Sequence, residues 1–208
     1  MRKPLQLAVM LSGSGRSLQN MLDRIAAGRL DAKVSVVVSS REDAYGLTRA
    51  QAAGIPTVVV NPRHYGNFIK MSHGIETALA EYPVELIALA GFMCFFRIPE
   101  RYIGKVMNIH PALIPAFCGK GYYGHFVHEQ VIAHGCKISG CTVHFADNEY
   151  DHGPIISQHP VPVLDDDTPD TLAARVFEAE CEAYPEAVQL FAEGRLKIEG
   201  RRVRILKK

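Results

Sequence analysis

The stretch LQLAVMLSGSGRSLQNMLDRIAAG, residues 5–28, indicates the architecture of this chain. Residues 5–11 form an apolar run that is typical of a buried β-strand, and Ser-Gly-Ser-Gly then turns the chain. The following residues have helical spacing, with Leu18, Met21, Leu22 and Ile25 on one face, and Gly28 ends the helix. A buried strand that leads through a glycine turn into a helix is the repeating unit of a parallel α/β sheet.

The remainder of the N-terminal half repeats this unit. Apolar strands are predicted over residues 32–40, 55–60, 84–91 and 104–110, with helices over 44–54 and 65–82. The pattern predicts an α/β fold with a doubly wound, mostly parallel, Rossmann-like sheet. In such a sheet ligands bind beyond the carboxyl ends of the strands, so we expect the loops at those ends to converge on one crevice.

The C-terminal half has a different pattern. After a helix over 125–135, two strands over 138–147 and 153–163 flank the polar turn NEYDH, which predicts an antiparallel pair. A long helix over 167–194 has Thr168 as its N-cap and Pro169 in its first turn, and Pro185 is predicted to break or kink it. We therefore expect a single domain over 1–208 with antiparallel strands in its C-terminal part.

The composition excludes several classes of protein. The net charge is +1, with 23 Lys+Arg against 22 Asp+Glu, so nothing requires a nucleic-acid or acidic-membrane partner. Five cysteines without a framework spacing favour a reducing compartment, and no segment resembles a signal peptide or a membrane span. We expect a cytoplasmic protein with small-molecule substrates. The basic tail is interpreted as a solvated terminus; it contains Arg201, Arg202, Arg204, Lys207 and Lys208.

The glycine turn is a candidate phosphate site. It directs backbone N–H groups and the positive end of the following helix toward one point, and it consists of Gly13, Ser14, Gly15, Arg16 and Ser17. A dinucleotide fits less well than a monophosphate, because Leu18 stands where a third glycine is needed and the second strand ends without a ribose-binding acid. Arg41 leaves an NADP-dependent reductase open. The alternative is a tight turn that binds nothing.

The stretch MNIHPALIPAF, residues 107–117, is the candidate catalytic segment. Asn108 and His110 are two residues apart on a predicted strand, so both side chains face the same way. An amide and an imidazole directed at one point suit a carbonyl that becomes an oxyanion, and histidine also transfers protons near neutral pH. A buried, hydrogen-bonded histidine beside a capping asparagine is the structural alternative. The turn ADNEYDH supplies three possible orienting acids, Asp147, Glu149 and Asp151, and the residue pattern leaves the choice open.

The combination of SGSGRSLQ, LIALAGFM, NIHPALIP and TVHFADNEYDHGPII, in this order over nearly the whole chain, resembles the folate-dependent formyltransferases. Among them it is most similar to the single-domain branch of purine biosynthesis. The resemblance implies formyl transfer from 10-formyltetrahydrofolate, without a metal, to the amine of 5′-phosphoribosylglycinamide, a step toward IMP. It also implies a phosphate- or nucleotide-binding half over 1–104 and a folate-binding, catalytic half over 105–208.

The resemblance assigns roles to individual residues. It implies that Asn108, His110 and Asp151 are the catalytic trio, with Asp151 favoured because it directly precedes X-Gly-Pro, and that Glu180 holds the amine end of the substrate. It places the substrate phosphate on residues 13–17. It assigns folate binding to Phe92, Met93, Cys94, Phe95, Phe96, Asn108, Ala146, Asp147 and Asp151.

The chain departs from the family pattern at four places. Arg16 follows the second glycine of the loop, Cys94 stands where arginine is common, and His152 replaces a glycine in Asp-Gly-Gly-Pro. The loop over 117–128 is longer than usual, and Lys120, Tyr122 and Tyr123 are candidates for a lid.

Several alternatives share or replace the formyl-transfer chemistry. A sugar-nucleotide formyltransferase remains possible, whereas a formyltetrahydrofolate hydrolase is not expected, because the first strand is predicted at residue 5 and those hydrolases carry an N-terminal regulatory domain. A methionyl-tRNA formyltransferase is not expected either, because those enzymes add a C-terminal RNA-binding domain and the sequence ends at Lys208. A zinc-binding module is a further possibility, drawn from Cys118, His125, His128, Cys136, Cys141 and His144, but Cys141 and His144 face opposite sides of a strand. A monomer and a homodimer are both compatible with the sequence.

Overall fold

A computed structural model describes residues 3–207 of the chain. The chain forms two compact units, which divide after Met107. No helix within 3–207 has the length and apolar character needed to cross a bilayer.

The first unit alternates strands and helices as the sequence predicts. Its elements are β1 (Leu5–Leu11), α1 (Arg16–Ala26), β2 (Ala32–Ser39), α2 (Tyr45–Ala52), β3 (Thr57–Val59), α3 (Phe68–Ala80) and β4 (Leu86–Leu89). The strand order is β3-β2-β1-β4, and every pairing among these four strands is parallel. The parallel arrangement brings the carboxyl ends of β1 and β4 to one edge of the unit, where the glycine loop begins.

The core of the first unit follows from the apolar runs. Every residue of β1 is buried, and seven of the eight in β2 are buried as well, which fits strands covered by helices on both faces. Leu18 and Met21 of α1 are fully buried, so the helix packs on the predicted face. Asn67 caps α3 through its side chain, which accepts from the Lys70 N–H at 3.0 Å.

The second unit begins within strand β5 (Val106–His110). The last three residues of this strand, Asn108 to His110, belong to the second unit. Its further elements are α4 (His125–Ala133), β6 (Ile138–Phe145), β7 (Ile155–Pro162), α5 (Pro169–Ala192), β8 (Leu196–Glu199) and β9 (Arg202–Ile205). Strands β6 and β7 pair antiparallel, β7 pairs with β9 in parallel, and β8 and β9 form an antiparallel hairpin. The fold class is therefore confirmed: α/β with a mostly parallel sheet and antiparallel strands in the C-terminal part.

The long helix confirms one expectation and corrects another. Thr168 is the N-cap of α5 in a capping box with Thr171. Pro185 was expected to break or kink the helix, and the break is wrong, because α5 continues through Pro185 to Ala192. Proline removes one N–H from the helix interior, but Pro185 is buried and α5 packs along β6 and β7, and tertiary packing of this kind stabilises a helix more than local propensity does.

The basic tail is solvated, since Arg201, Arg202, Arg204 and Lys207 are exposed, but part of it has regular structure that was not predicted. Arg202 and Arg204 lie in β9, paired with Glu199 and Lys197 of β8 in a hairpin. The signal was weak because both strands are short and carry mostly exposed, charged side chains. Lys208 lies outside the described residues.

Candidate functional site

Asn108 and His110 on strand β5 both lie beside the carboxylate of Asp151. The Asn108 Nδ2 donates to Asp151 Oδ1 at 3.3 Å, and the His110 Nδ1 lies 3.5 Å from Asp151 Oδ2. The two residues share a side of the strand because side chains alternate along it. The structure thus brings together the three residues that were expected to form the trio.

Asp151 is held in an uncommon backbone conformation. It lies in the β6–β7 connection with φ of +51°, in the left-handed region that asparagine and aspartate tolerate better than most residues. Its side chain is only 11% exposed, and Oδ2 accepts a hydrogen bond from the Gly119 N–H at 2.9 Å. The carboxylate is therefore held by the β5–α4 loop as well as by Asn108 and His110.

The loop after β5 contributes backbone groups that residue types do not reveal. The Phe117 carbonyl accepts from the His110 Nε2 at 2.8 Å, while Gly119 donates to Asp151. Both loop residues have positive φ, +48° at Phe117 and +90° at Gly119. This reversal of the chain turns one carbonyl toward the imidazole and one N–H toward the carboxylate. The glycine-rich run CGKGYYG was the available signal, since glycine permits such a reversal.

His144 is a fourth polar residue of the site, and sequence reasoning considered it only as a metal ligand. It is buried on β6, with its Nε2 3.2 Å from the Asn108 Nδ2 and 3.7 Å from Asp151 Oδ1. Its Nδ1 lies 3.0 Å from the Phe145 carbonyl, which only accepts, so Nδ1 carries the proton. The neutral ring then presents Nε2 as an acceptor to the Asn108 amide. The amide orientation of Asn108 is thereby set by His144 together with Asp151.

The environment sets the protonation of the trio. Burial lowers the pKa of His110 below its usual value, although the charge of Asp151 and the Phe117 carbonyl act in the opposite direction. Burial on its own raises the pKa of Asp151. The nearby charge of His110 and the Gly119 N–H are among the influences that outweigh that effect and hold the pKa of Asp151 below the usual value. Near neutral pH the site therefore pairs a carboxylate with an imidazole that is largely neutral.

The other two acids of the turn are placed elsewhere. Asp147 Oδ2 lies 2.8 Å from the His152 Nδ1, and Asp147 Oδ1 accepts from the Glu149 N–H at 2.9 Å. Glu149 is exposed and lies 3.9 Å from the His152 ring. Asp151 is thus the acid of this turn that the fold presents to His110.

The glycine loop of the first unit packs closely against α2. Gly15, the N-cap of α1, has φ of +69°, and a Cβ there would lie 2.6 Å from the Cα of Gly46. The Gly46 N–H donates to the Gly13 carbonyl at 3.0 Å, and the Arg49 Nε donates to the Ser14 carbonyl at 2.9 Å. Gly13 and Ser14 are exposed. The loop therefore has a fixed backbone with an exposed rim at the N-terminus of a helix, a geometry that suits an anion.

The remaining two phosphate-loop residues follow directly in α1. Arg16 is exposed and Ser17 is half-buried, and they are the first two residues of the helix. Their position adds side-chain donors to the N–H groups of the first helical turn.

The segment expected to bind folate adjoins this loop within the first unit. The Met93 N–H donates to the Ser12 Oγ at 2.8 Å, and the Ser12 N–H donates to the Gly91 carbonyl at 3.0 Å. Met93 is 51% exposed, and Phe95 packs edge-on against Phe68 with ring centroids 5.3 Å apart. Phe92 and Cys94 are half-buried, and Phe96 is buried. The segment presents apolar surface of a kind that suits a flat heterocycle.

Glu180 and Ala146 complete the predicted site residues. Ala146 is half-buried at the start of the turn that carries Asp151. Glu180 is half-buried on α5. Burial raises the pKa of the Cys141 thiol on β6 to about 12, and the nearby charge of Glu180 adds to this effect. Glu180 thus lies toward β6, and its role with the substrate stays a prediction.

Two alternative sites find little support in the part of the chain that the structure describes. No group of three or more His, Cys, Asp or Glu side chains within 3–207 has metal-binding geometry. The guanidinium of Arg41, the candidate for an NADP phosphate, is paired with Asp43 through contacts of 2.6 and 2.9 Å.

Comparison with known proteins places these observations in a family. A model of the formyl transferase family matches residues 5–188. The chain is 37% identical over 196 residues to phosphoribosylglycinamide formyltransferase of Haemophilus influenzae, covering 93% of this chain and 90% of that protein. It is 38% identical to the human trifunctional purine biosynthetic protein adenosine-3 over 95% of this chain, but it spans only 19% of that protein's length.

Solved structures agree with the sequence comparison. Glycinamide ribonucleotide transformylase 1 from Symbiobacterium toebii is 44% identical and superposes with a TM-score of 0.93, covering 100% of this chain and 96% of that one. Phosphoribosylglycinamide formyltransferase from Coxiella burnetii, solved in complex with CHES, is 34% identical with a TM-score of 0.86, over 97% and 93% of the two chains.

Proposed function

The chain belongs to the formyl transferase family, and from that premise we propose that it formylates the amine of 5′-phosphoribosylglycinamide, a step of de novo purine biosynthesis. The observation that carries this proposal is the trio of Asn108, His110 and Asp151. It combines an amide donor and an imidazole that both contact one carboxylate, whose side chain is only 11% exposed. Such a group can stabilise an oxyanion and move a proton, which are the two requirements of acyl transfer to an amine.

The formyl donor in this proposal is 10-formyltetrahydrofolate. The exposed Met93 and the half-buried Phe92 and Phe95 offer the apolar surface that a pterin ring needs, and the turn over 146–151 supplies polar groups. We assign donor binding to these segments. When bound, the donor supplies the activated formyl group, and no metal enters the scheme.

The amine nitrogen of the acceptor attacks the formyl carbon, and the formyl oxygen takes up the negative charge. Asn108 and His110 donate to this oxyanion. In the structure an N–H of Asn108 faces the His144 ring and the Nε2–H of His110 faces the Phe117 carbonyl, so donation to the oxyanion exchanges these two neutral acceptors for a charged one. The exchange is favourable because charge-assisted hydrogen bonds are about twice as strong as neutral ones.

Asp151 supports the proton transfer. Its Oδ2 lies beside the Nδ1 of His110, so the carboxylate stabilises the imidazolium that forms when His110 takes up a proton. The acceptor amine loses one proton and the departing folate nitrogen gains one, while the carbon–nitrogen bond of the donor breaks. Asp151 and His110 carry that proton in this scheme, which balances the reaction without an external acid or base.

We assign binding of the acceptor's phosphate to the first unit. The backbone of residues 13–17 is fixed by Arg49 and Gly46, and Arg16 adds a positive charge at the start of α1. Glu180 is assigned the amine end of the same molecule. These assignments distinguish a phosphoribosyl acceptor from a sugar nucleotide, which carries two phosphates and a base.

The experiment is a panel of amine acceptors with one formyl donor. The purified protein is mixed with 10-formyltetrahydrofolate, and tetrahydrofolate release is followed by absorbance with 5′-phosphoribosylglycinamide or amino-sugar nucleotides as acceptor. We expect turnover with the phosphoribosyl acceptor and none with the sugar nucleotides. Turnover with a sugar nucleotide alone would refute the assigned acceptor, and release of folate without an acceptor would indicate a hydrolase.

A further inference from the structure

The turn that carries Asp151 is tied to the C-terminal hairpin through its neighbour His152. The Arg201 Nη1 lies 2.7 Å from the His152 Nε2, and the Arg201 Nη2 donates to the His152 carbonyl at 2.9 Å. On the other side of the ring, the His152 Nδ1 lies 2.8 Å from Asp147 Oδ2. One arginine therefore contacts both the ring and the backbone of the residue next to the proposed catalytic acid.

The chemistry of these contacts fixes the proton positions. A guanidinium only donates, so the Nε2 of His152 must accept from Arg201. The neutral ring then carries its proton on Nδ1 and donates to Asp147. Asp147 also accepts from the Glu149 N–H, so the same carboxylate closes the turn on itself. Every donor and acceptor in this series of hydrogen bonds, from Arg201 through His152 to Asp147, therefore has one consistent assignment.

The segment that follows His152 is held by close packing against β6. A Cβ on Gly153 would lie 1.9 Å from the Phe145 carbonyl, so the backbone passes β6 at a distance that only glycine permits. The Phe145 N–H donates to the Pro154 carbonyl at 2.9 Å. Asp151, with its left-handed φ, therefore precedes a tightly packed segment at Gly153 and Pro154. On its other side lies the exposed part of the turn, which His152 holds through Asp147.

Arg201 is itself well placed to act as an anchor. It lies in the turn between β8 and β9, which pair over four residues each. The following residue, Arg202, pairs with Ile155 of β7, three positions after His152. The hairpin is thus joined to the strand that leaves the turn, and Arg201 extends from it.

We propose that Asp147, His152 and Arg201, called here the hairpin clamp, are positioning residues that hold the carboxylate of Asp151 against His110 and Asn108. The C-terminal hairpin thereby contributes to formyl transfer without touching the substrate. This proposal rests on the proposed function for its kinetic consequences, whereas its structural content, the anchoring of the turn, is independent of the reaction.

The experiment compares Arg201→Ala, His152→Ala and the double variant with a matched control, Arg202→Ala. The control removes the same charge one residue away, from an exposed side chain on the hairpin. We measure kcat and the KM for 5′-phosphoribosylglycinamide at saturating formyl donor. We also measure amide-hydrogen exchange over residues 146–153, which does not require activity.

Each single variant is expected to lower kcat by about 3- to 10-fold with the acceptor KM changed less than about twofold, because small misplacement of a catalytic group slows chemistry more than binding. The double variant is expected to be no slower than Arg201→Ala, since both changes remove one clamp. Arg201→Lys, which keeps the positive charge and a donor group but not the two-pronged guanidinium, is expected to recover part of the loss. Exchange at Glu149 should quicken in Arg201→Ala and remain unchanged in Arg202→Ala.

Three results would overturn the proposal: equal kcat for Arg201→Ala and Arg202→Ala, losses that multiply in the double variant, or unchanged exchange over 146–153. If Arg201→Ala destabilises the fold, His152→Ala, which leaves the hairpin intact, decides in its place. Absence of formyl transfer by the unmodified protein would refute the proposed function, and the exchange comparison would still test the clamp.

Discussion

Replacement of Asp151 by asparagine tests the central electrostatic interaction of the site. The substitution keeps the shape of the side chain and an acceptor for the Gly119 N–H, and asparagine tolerates the left-handed φ of +51° as well as aspartate does. It removes one negative charge beside His110. The variant should therefore fold normally and lose activity for an identifiable reason.

The magnitude follows from the geometry. The His110 Nδ1 lies 3.5 Å from Asp151 Oδ2. At an effective dielectric constant of about 20, unit charges at this separation interact with about 5 kcal/mol, which is an upper bound for the stabilisation of the imidazolium. Because the asparagine oxygen retains a dipolar interaction, we expect kcat to fall by about 10²–10³, equivalent to about 3–4 kcal/mol. The pKa of His110 should also move further down, since Asp151 is the strongest influence that raises it.

The assay is formyl transfer to 5′-phosphoribosylglycinamide with both substrates saturating, measured as kcat rather than as activity at one concentration. Asp165→Asn is the matched control, because it removes an exposed carboxylate that is paired with Lys137 at 2.8 Å. The control should match the unmodified protein. If Asp151→Asn retained more than about a tenth of the original kcat, the carboxylate would not support proton transfer as described.

Three further predictions concern stability and binding. Burial and the charges of His125 and His110 lower the pKa of His128 to about 4, so the unfolded chain binds a proton between about pH 6.5 and pH 4 that the folded protein does not. His128→Leu should therefore reduce the stability lost between pH 7 and pH 5, measured by urea unfolding, by about 2 kcal/mol. Gly15→Ala should cost about 1–3 kcal/mol because its Cβ meets Gly46 at a positive φ, whereas Gly13→Ala, with no atom within 4 Å, should change the Tm little. Arg16→Ala should raise the acceptor KM about tenfold at low salt and less at high salt, and an unchanged KM would place the phosphate elsewhere.

Much of the fold was predictable because its signals are local. The apolar strands, the glycine turn and the Thr168 cap depend on residues that are close in sequence, and each appears where the pattern places it. The orientation of Asn108 and His110 toward the same side also follows from strand geometry alone. The C-terminal hairpin was missed because β8 and β9 have only four residues each, so the alternation of apolar and charged residues in LKIE and RVRI is too brief to stand out.

The trio was predictable only in part. Residue pattern left Asp147, Glu149 and Asp151 as equal candidates, and the likeness to a family favoured Asp151. The fold distinguishes them by contact, since Asp151 lies beside His110 while Asp147 lies beside His152. The carbonyl of Phe117 and the N–H of Gly119 were not predictable, because every residue type carries these groups and only backbone conformation directs them.

The sequence by itself determined the order of the elements, the glycine loop at the start of α1 and the pairing of an amide with an imidazole on one side of β5. These features depend on short-range periodicity and on the allowed conformations of glycine. Only the tertiary structure decided which acid meets His110, how His144 orients Asn108 and how Arg201 reaches the turn from the hairpin. Those contacts join residues that are tens of positions apart, and their distances depend on the path of the folded chain rather than on any local pattern.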